Sequence, residues 1–195
     1  MSDLGKGINP WLIEKSSEIN ELVKANQLMI SKFDAWIDKV IVTAINDNYP
    51  GIKIKRYKPA GHIHFYKKEW ITGPGEWDMI CIYLGLQFNS YVSEESTPHY
   101  GIYIGPSKTY PMGRKVIIAD LYERIVKMFP NFMPSKDSEV IVFPAKVPSM
   151  VEIASKLREG KISEVENAFI TQVKELKDIF NFTGEYIKTK KLIKG

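Results

Sequence analysis

The sequence predicts an α+β fold in which an antiparallel sheet of about four to five strands packs against helices. Three observations carry this prediction: a helical pattern of apolar residues opens the chain, a strand-rich block occupies its middle, and two segments with helix-start signals close it. Strands grouped together between helices, with short turns joining them, are typical of α+β domains.

At 195 residues the chain has the length of one compact domain. Its content of 44% hydrophobic and 26% charged residues excludes wholesale disorder. Within the single domain we predict an N-terminal helical arm over residues 1–47, a sheet-rich core over 50–145, C-terminal helices over 149–182 and a basic tail over 184–195.

The N-terminal helix is predicted from Trp11 to Asn46, because apolar residues recur there at spacings of three and four. Asn26 interrupts the apolar stripe at a position that can fix the register of a coiled coil. Two interpretations remain open. The helix packs on the sheet of its own chain, or its stripe, including Phe33 and Trp36, forms a partner interface such as the seam of a homodimer.

The strand-rich block is divided by turn residues such as those at 72–75. A helix is predicted at Arg114–Met128, before Pro130. The predicted strands are Lys53–Lys58, His62–Trp70, Trp77–Asn89, Tyr100–Ile104 and Glu139–Phe143.

Two capping boxes predict the starts of the closing helices. Ser149 is followed three residues later by Glu152, and Ser163 is followed by Glu166 in the same way. Gly160 suits the end of the first of these helices.

Side chains alternate between the two faces of a strand, so periodicity assigns each residue to a face. One face of the predicted sheet is apolar and forms the core. The other collects histidine, tyrosine and lysine, and Gly85 and Gly101 keep parts of it shallow. The N-terminal helix covers this second face, or the face is free to bind a partner.

Charge is concentrated beside the same strands. Six of the 27 Lys and Arg residues lie between Asp47 and Glu69, where the chain has no acid. Lysines that meet phosphates, together with rings on which bases stack, are typical of single-stranded nucleic-acid binding. The predicted nucleic-acid-binding residues are Lys53, Lys55, Arg56, Lys58, His62, His64, Tyr66, Lys68, Tyr83 and Tyr103.

Catalytic chemistry is a weaker alternative. His62 and His64 share a strand face on which His99 can supply a third metal ligand, and Asp78 begins an apolar strand where a carboxylate can hold magnesium. A metal-dependent nuclease is therefore the second alternative. We assign no catalytic residue, no metal ligand and no cofactor, and we place a non-enzymatic role before an enzymatic one.

Three segments, GHIHFYKKEW at 61–70, DMICIYLGLQF at 78–88 and YGIYIG at 100–105, carry a resemblance. Together they resemble the C-terminal, strand-rich region of PD-(D/E)XK nuclease-superfamily proteins from bacteria and phages, over roughly residues 50–130. In that family the catalytic residues lie in an upstream core, and a single predicted helix precedes the matching block here. The resemblance thus implies a recognition or regulatory part and transfers no catalytic residue. A role related to phage or bacterial defence belongs to the protein–protein alternative below.

The sequence therefore favours a non-enzymatic binding module that contacts nucleic acid through a basic, aromatic region of its sheet. The alternative is a protein–protein interaction module, such as a phage or bacterial regulator that modulates a partner enzyme. Cys81 is the only cysteine, which favours an intracellular, cytoplasmic setting. We expect no signal peptide and no contact with a membrane, since no apolar run approaches the ~20 residues of a spanning helix.

Overall fold

The computed structural model describes residues 15–58, 61–86, 98–106, 110, 112–136, 139–144 and 146–192. At positions 16, 19, 22, 26, 29, 150, 154 and 157 it describes the backbone alone. The predicted register-fixing side chain of Asn26 and the predicted helical residues 11–14 therefore lie outside the described part of the chain.

Helices and an antiparallel sheet make up the described chain, which confirms the α+β prediction. Six strands are present, rather than four to five. In chain order the elements are α1 (Ser16–Ile37), a π-helical turn (Asp38–Val42), α2 (Thr43–Asn48), β1 (Lys53–Arg56), β2 (His62–Tyr66), a 3-10 turn (Lys68–Trp70), β3 (Ile80–Gly85), β4 (His99–Ile104), α3 (Arg114–Met128), a second 3-10 turn (Pro130–Phe132), β5 (Ser135–Lys136), β6 (Val140–Phe143), α4 (Met150–Glu159) and α5 (Ser163–Thr189).

The strands lie in the order β1-β2-β3-β4-β6-β5, and every neighbouring pair is antiparallel. The two residues of β5 pair with β6 at one edge of the sheet. Periodicity did not predict β5, because two residues are too few to show alternation.

The apolar face of the sheet is the one that the sequence predicts as core. The register sets Ile63 opposite Leu84, Phe65 opposite Ile82, and Ile82 opposite Ile102. All five side chains are fully buried. Burial of such side chains is worth roughly 1.5–3 kcal/mol each, so the opposite register, which would expose them, is strongly disfavoured.

The N-terminal helix packs on this apolar face and not on the other. Phe33, Ile37 and Ile41 belong to the same buried cluster as the core-facing residues of β2, β3 and β4. Farther along, Tyr49 places its ring 5.3 Å from that of Phe65 in β2. The interpretation in which this helix covers the histidine- and tyrosine-rich face is therefore wrong. The apolar stripe of the helix matches the apolar side of the sheet, where burial is favourable.

The predicted partner-interface residues Phe33 and Trp36 lie inside this core, 0% and 7% exposed. Their rings stack with centroids 5.4 Å apart, and the indole N–H of Trp36 donates to Oε1 of Glu166 in α5 at 3.1 Å. Both side chains are thus occupied by contacts within the chain.

The first capping box is confirmed. A carboxylate oxygen of Glu152 accepts a hydrogen bond from the backbone N–H of Ser149 at 2.8 Å, and the N–H of Glu152 donates to the Ser149 hydroxyl at 3.3 Å. Gly160 follows the helix with φ +70°, a left-handed conformation that glycine adopts without strain.

The second capping box is wrong. Ile162 is the N-cap of α5, and no side chain caps this end. The carboxylate of Glu166 instead accepts the hydrogen bond from Trp36. A contact 130 residues away in the chain has replaced the local contact that the motif predicts.

α5 also continues through the predicted basic tail, as far as Thr189. Gly184 allows this helix to approach the sheet side of the core, because a Cβ there would lie 3.3 Å from the ring of Trp70. Beyond it, Tyr186 and Ile187 are both 5% exposed. Buried apolar side chains thus hold the helix past residue 182, where the C-terminal helices are predicted to end.

Three strands are shorter than predicted. β2 ends at Tyr66, where the chain enters a 3-10 turn that buries Trp70, and β1 ends at Arg56. The predicted strand over Trp77–Asn89 begins only at Ile80 and extends to Gly85, and its predicted residues 87–89 lie outside the described part of the chain. None of the described helices is both long enough and apolar enough to cross a bilayer.

Candidate nucleic-acid interface

The sheet face opposite the apolar core carries a continuous set of rings, which we call the aromatic face. The side chains of β1, β2, β3 and β4 that alternate with core residues supply most of them, since alternation places these side chains on the far side of the sheet. Its ring residues are Tyr57, His62, His64, Tyr66, Trp77, Tyr83, His99 and Tyr103.

Trp77 lies at the centre of the aromatic face and is 42% exposed. Its indole stacks on Tyr57 with centroids 4.9 Å apart and planes 8° apart. It also packs edge-to-face on His64 at 5.6 Å and on Tyr103 at 6.0 Å. One indole therefore joins rings that come from β1, β2 and β4.

The turn that carries Trp77 is held from both sides. Oδ2 of Asp78 accepts a hydrogen bond from the N–H of Gly75 at 2.9 Å, and the N–H of Thr72 donates to the Asp78 carbonyl at 2.7 Å. Gly105 packs so closely that a Cβ there would lie 1.9 Å from the Trp77 carbonyl oxygen. The Asp78 carboxylate, our candidate magnesium ligand, thus stabilises this turn.

The sequence predicts that the aromatic face is shallow at Gly85 and Gly101, but an aromatic ring packs against each of these glycines. The His99 ring lies across Gly85, where a Cβ would come within 2.5 Å of Cε1 of the imidazole. The Tyr83 ring lies across Gly101, where a Cβ would come within 2.4 Å of Cε1 of the phenol ring. These close approaches let the rings lie flat along the sheet.

The inner layer of the aromatic face is buried by the outer one. His64 is 3% exposed and Tyr83 is 5% exposed. Tyr57, His62, Tyr66, His99 and Tyr103 are half-buried, so part of each ring reaches solvent.

Burial keeps the inner rings uncharged. It lowers the pKa of His64 to about 3, with smaller effects from the nearby charges of His62 and Lys55. Burial also lowers the pKa of His62, with His99 acting in the same direction, and raises the pKa of Tyr83 to about 12. Within the described structure, Nδ1 of His62 and Nδ1 of His64 are buried without a hydrogen-bond partner.

The histidines do not converge as metal ligands. The ring of His62 lies 6.2 Å from that of His64 and 6.5 Å from that of His99, measured between centroids. Among the described residues, no group of three or more His, Cys, Asp or Glu side chains is arranged to hold a metal ion. Cys81 is fully buried, and burial raises the pKa of its thiol well above the ordinary value.

Two of the predicted phosphate-binding cations are engaged elsewhere. Nε of Arg56 donates to Oδ1 of Asp38 at 2.8 Å, its Nη2 contacts Asp34, and Lys58 contacts Oδ2 of Asp38 at 2.7 Å. Burial acts to raise the pKa of Asp38, but the hydrogen bonds from Lys58 and Arg56 hold it below its ordinary value. These residues attach the edge strand β1 to the N-terminal helix.

Other cations lie at the aromatic face. Lys53 is exposed and stands opposite Tyr66, and Lys68 is exposed where β2 gives way to the 3-10 turn. Lys55 Nζ lies 5.2 Å from the centre of the Tyr57 ring and 2.7 Å from Oε1 of Glu76.

On the opposite side of Trp77, Arg114 at the start of α3 reaches over Tyr103, with its Cζ 5.6 Å from the ring centre. Its Nη1 contacts Oε1 of Glu139 at 2.9 Å, and its Nε donates to the carbonyl of Ile104. The sequence analysis did not select Arg114, since it lies on a helix far along the chain.

Sequence reasoning also missed Tyr57 and Trp77. Tyr57 continues the alternation of Lys53 and Lys55, so period-two spacing could have found it. Trp77 lies in a turn, where periodicity gives no signal.

Comparisons with protein-family models, with curated proteins and with solved structures found no match to this chain. The resemblance to the PD-(D/E)XK superfamily stays a prediction.

Proposed function

We propose that the aromatic face binds single-stranded nucleic acid without catalysing a reaction. One observation carries the proposal: a continuous layer of rings lies on the side of the sheet away from the described helices, with Trp77 exposed at its centre. A ring with one buried surface and one solvent-facing surface is a suitable platform for a base.

The packing assigns different roles to the rings. Trp77, Tyr57, Tyr66 and Tyr103 have exposed surface on which bases can stack. Tyr83, although predicted from the sequence as a stacking residue, lies beneath them with His64 and supports the outer rings. Stacking is worth about 1–3 kcal/mol per base and does not depend strongly on sequence, so we expect broad specificity.

Charge supports the same surface. Lys53 and Lys55 lie at the aromatic face, where phosphates of a strand stacked on the rings would pass, and Lys68 is exposed in the 3-10 turn that follows β2. Arg56 and Lys58 contribute to the fold of this edge through their contacts with α1. The proposed contacts are thus fewer than the basic stretch of sequence predicts.

The test is a binding titration of labelled oligothymidylate by fluorescence anisotropy, between about 50 and 200 mM salt. We expect the affinity to fall as salt rises, because phosphate contacts release counterions. We also expect weaker binding of a duplex of the same length, since its bases are not free to stack on protein rings. Absence of affinity at low salt, or affinity that does not change with salt, would reject the proposal.

A second candidate function is contact with a protein, through the part of α1 that precedes Phe33. Val23 and Leu28 in this segment are 48% and 57% exposed. Light scattering on the isolated protein tests a homodimer. If the unmodified protein has the mass of two chains and Leu28→Lys has the mass of one, the homodimer is supported. If the unmodified protein is a monomer at all concentrations, self-association is rejected.

A further inference from the structure

The two sides of Trp77 carry the same three-part arrangement. On one side Lys55 lies over Tyr57 and contacts Glu76. On the other Arg114 lies over Tyr103 and contacts Glu139. Trp77 touches both tyrosines, so a cation, a ring and a carboxylate flank the exposed indole on each side.

Within each pair the carboxylate is the more accessible partner. The side chain of Glu76 is 56% exposed and that of Lys55 is 32% exposed. The side chain of Glu139 is likewise 56% exposed, against 21% for Arg114. A carboxylate that reaches this far into solvent can be released without leaving a buried charge behind, whereas each cation stays next to its ring.

Such partly exposed pairs are weak, since solvent screens them. A phosphate carries charge and acceptor oxygens comparable to those of the carboxylate and can replace it on Lys or Arg. The pairs formed by Arg56 differ, because that side chain is only 9% exposed and is held by two aspartates.

We propose that Lys55 and Arg114 are the two phosphate contacts on either side of a base stacked on Trp77, and that Glu76 and Glu139 occupy these cations until nucleic acid displaces them. This inference rests on the proposed function of the aromatic face. It adds that two carboxylates of the protein compete with the phosphates of the nucleic acid for these cations. The unmodified protein therefore binds nucleic acid more weakly than it would if both cations were free.

Glu76 has a further role in this exchange, because it precedes Trp77 in the same turn. The turn is attached to β1 twice, by Glu76 on Lys55 and by Trp77 on Tyr57. Displacement of Glu76 from Lys55 breaks the first attachment and leaves the stacking of Trp77 on Tyr57 in place. A phosphate that binds Lys55 and a base that stacks on Trp77 therefore both contact this turn.

The test compares oligothymidylate affinity in the unmodified protein and in three variants, Glu76→Gln, Glu139→Gln and the double variant. Each substitution removes a charge and keeps the size of the side chain. The matched control is Glu185→Gln, which breaks an ion pair of 2.8 Å with Lys188 within α5. Melting temperatures confirm that all variants fold.

We expect each single variant to bind about threefold more tightly than the unmodified protein, and the double variant about tenfold, as separate weak pairs predict. We expect Glu185→Gln to change the affinity by less than about twofold, through net charge alone. If the protein binds and the first two variants gain no more than this control, the inference is overturned and the proposed function stands.

If the unmodified protein does not bind but the double variant does, the competition is supported, whereas the proposed function of the unmodified protein is overturned. If neither binds, both the inference and the proposed function are overturned. Every result therefore shows whether or not Glu76 and Glu139 compete with nucleic acid for Lys55 and Arg114.

Discussion

Trp77 stacks on Tyr57 with centroids 4.9 Å apart and planes 8° apart, and this contact joins the β2–β3 connection to the edge strand β1. The indole is the most exposed ring of the aromatic face, at 42%. It therefore offers both a stacking surface and a direct measure of binding, because a base in contact with an indole quenches its fluorescence.

Replacement of Trp77 is expected to weaken binding more than any other single change on the aromatic face. Trp77→Ala removes a stacking partner worth about 1–3 kcal/mol, so affinity for oligothymidylate should fall roughly 5- to 150-fold. Fluorescence anisotropy at low salt gives the measurement. Met128→Ala is the matched control, because Met128 is a 58% exposed apolar residue at the end of α3. Equal affinities for Trp77→Ala and the unmodified protein would contradict the stacking role.

Lys55 is expected to contribute one phosphate contact. Lys55→Ala should reduce the slope of log affinity against log salt by about 0.7, the value for one contact to a single strand. The control is Lys188→Ala, which also removes a lysine with a carboxylate partner, but on α5. A slope that is the same in both variants would place the phosphates elsewhere on the protein.

The sequence predicted the faces of the sheet better than it predicted the partners of its charges. Alternation placed His62, His64 and Tyr103 together because strand geometry follows from local spacing. The ion pairs of Arg56 with Asp34 and Asp38 depend on the helix lying against the edge of β1, with partners about twenty residues away in the chain. A count of basic residues cannot reveal such internal neutralisation.

The same distinction explains the errors in the helices. The Ser149 capping box formed because no tertiary contact among the described residues competes for Glu152, whereas Glu166 lies within reach of Trp36. Glycine is common at helix ends, yet Gly184 lies inside α5, because the helix packs there against Trp70 and buries Tyr186 two residues further on. Tertiary packing overrides a local signal wherever the signal residue is also part of the core.

Gly101 tests whether the layer of rings depends on close packing against the backbone. A Cβ at this position would lie 2.4 Å from the Tyr83 ring and 2.5 Å from the carbonyl oxygen of Ile141, which belongs to the neighbouring strand. Because a backbone atom cannot move aside easily, we expect Gly101→Ala to lower the free energy of unfolding by about 1–3 kcal/mol. Urea denaturation measures it.

Gly113→Ala provides the comparison for that experiment, since nothing lies within 4 Å of a Cβ built there. A much smaller loss of stability is expected for it. If the two alanine variants unfold at the same urea concentration, the Tyr83 ring is not packed against Gly101 as described.

His64 is expected to make the protein less stable as the pH falls. Its pKa is lowered to about 3 in the folded state, chiefly by burial, whereas an ordinary histidine titrates near 6.5. The unfolded chain therefore binds a proton that the folded chain does not, so this contribution to stability is complete above pH 6.5 and is lost progressively as the pH falls toward 3. The free energy of unfolding should decrease by up to about 1.4 kcal/mol per pH unit from this one group. Urea denaturation of the unmodified protein and of His64→Phe at pH 7.5, 6 and 5 isolates it, because the carboxylates and His62 titrate in both proteins. The difference between the two curves should change steadily below pH 6.5. A difference that stays constant from pH 7.5 to 5 would show that the His64 imidazole takes up its proton at the same pH in the folded and the unfolded chain, and so is not buried beneath Trp77.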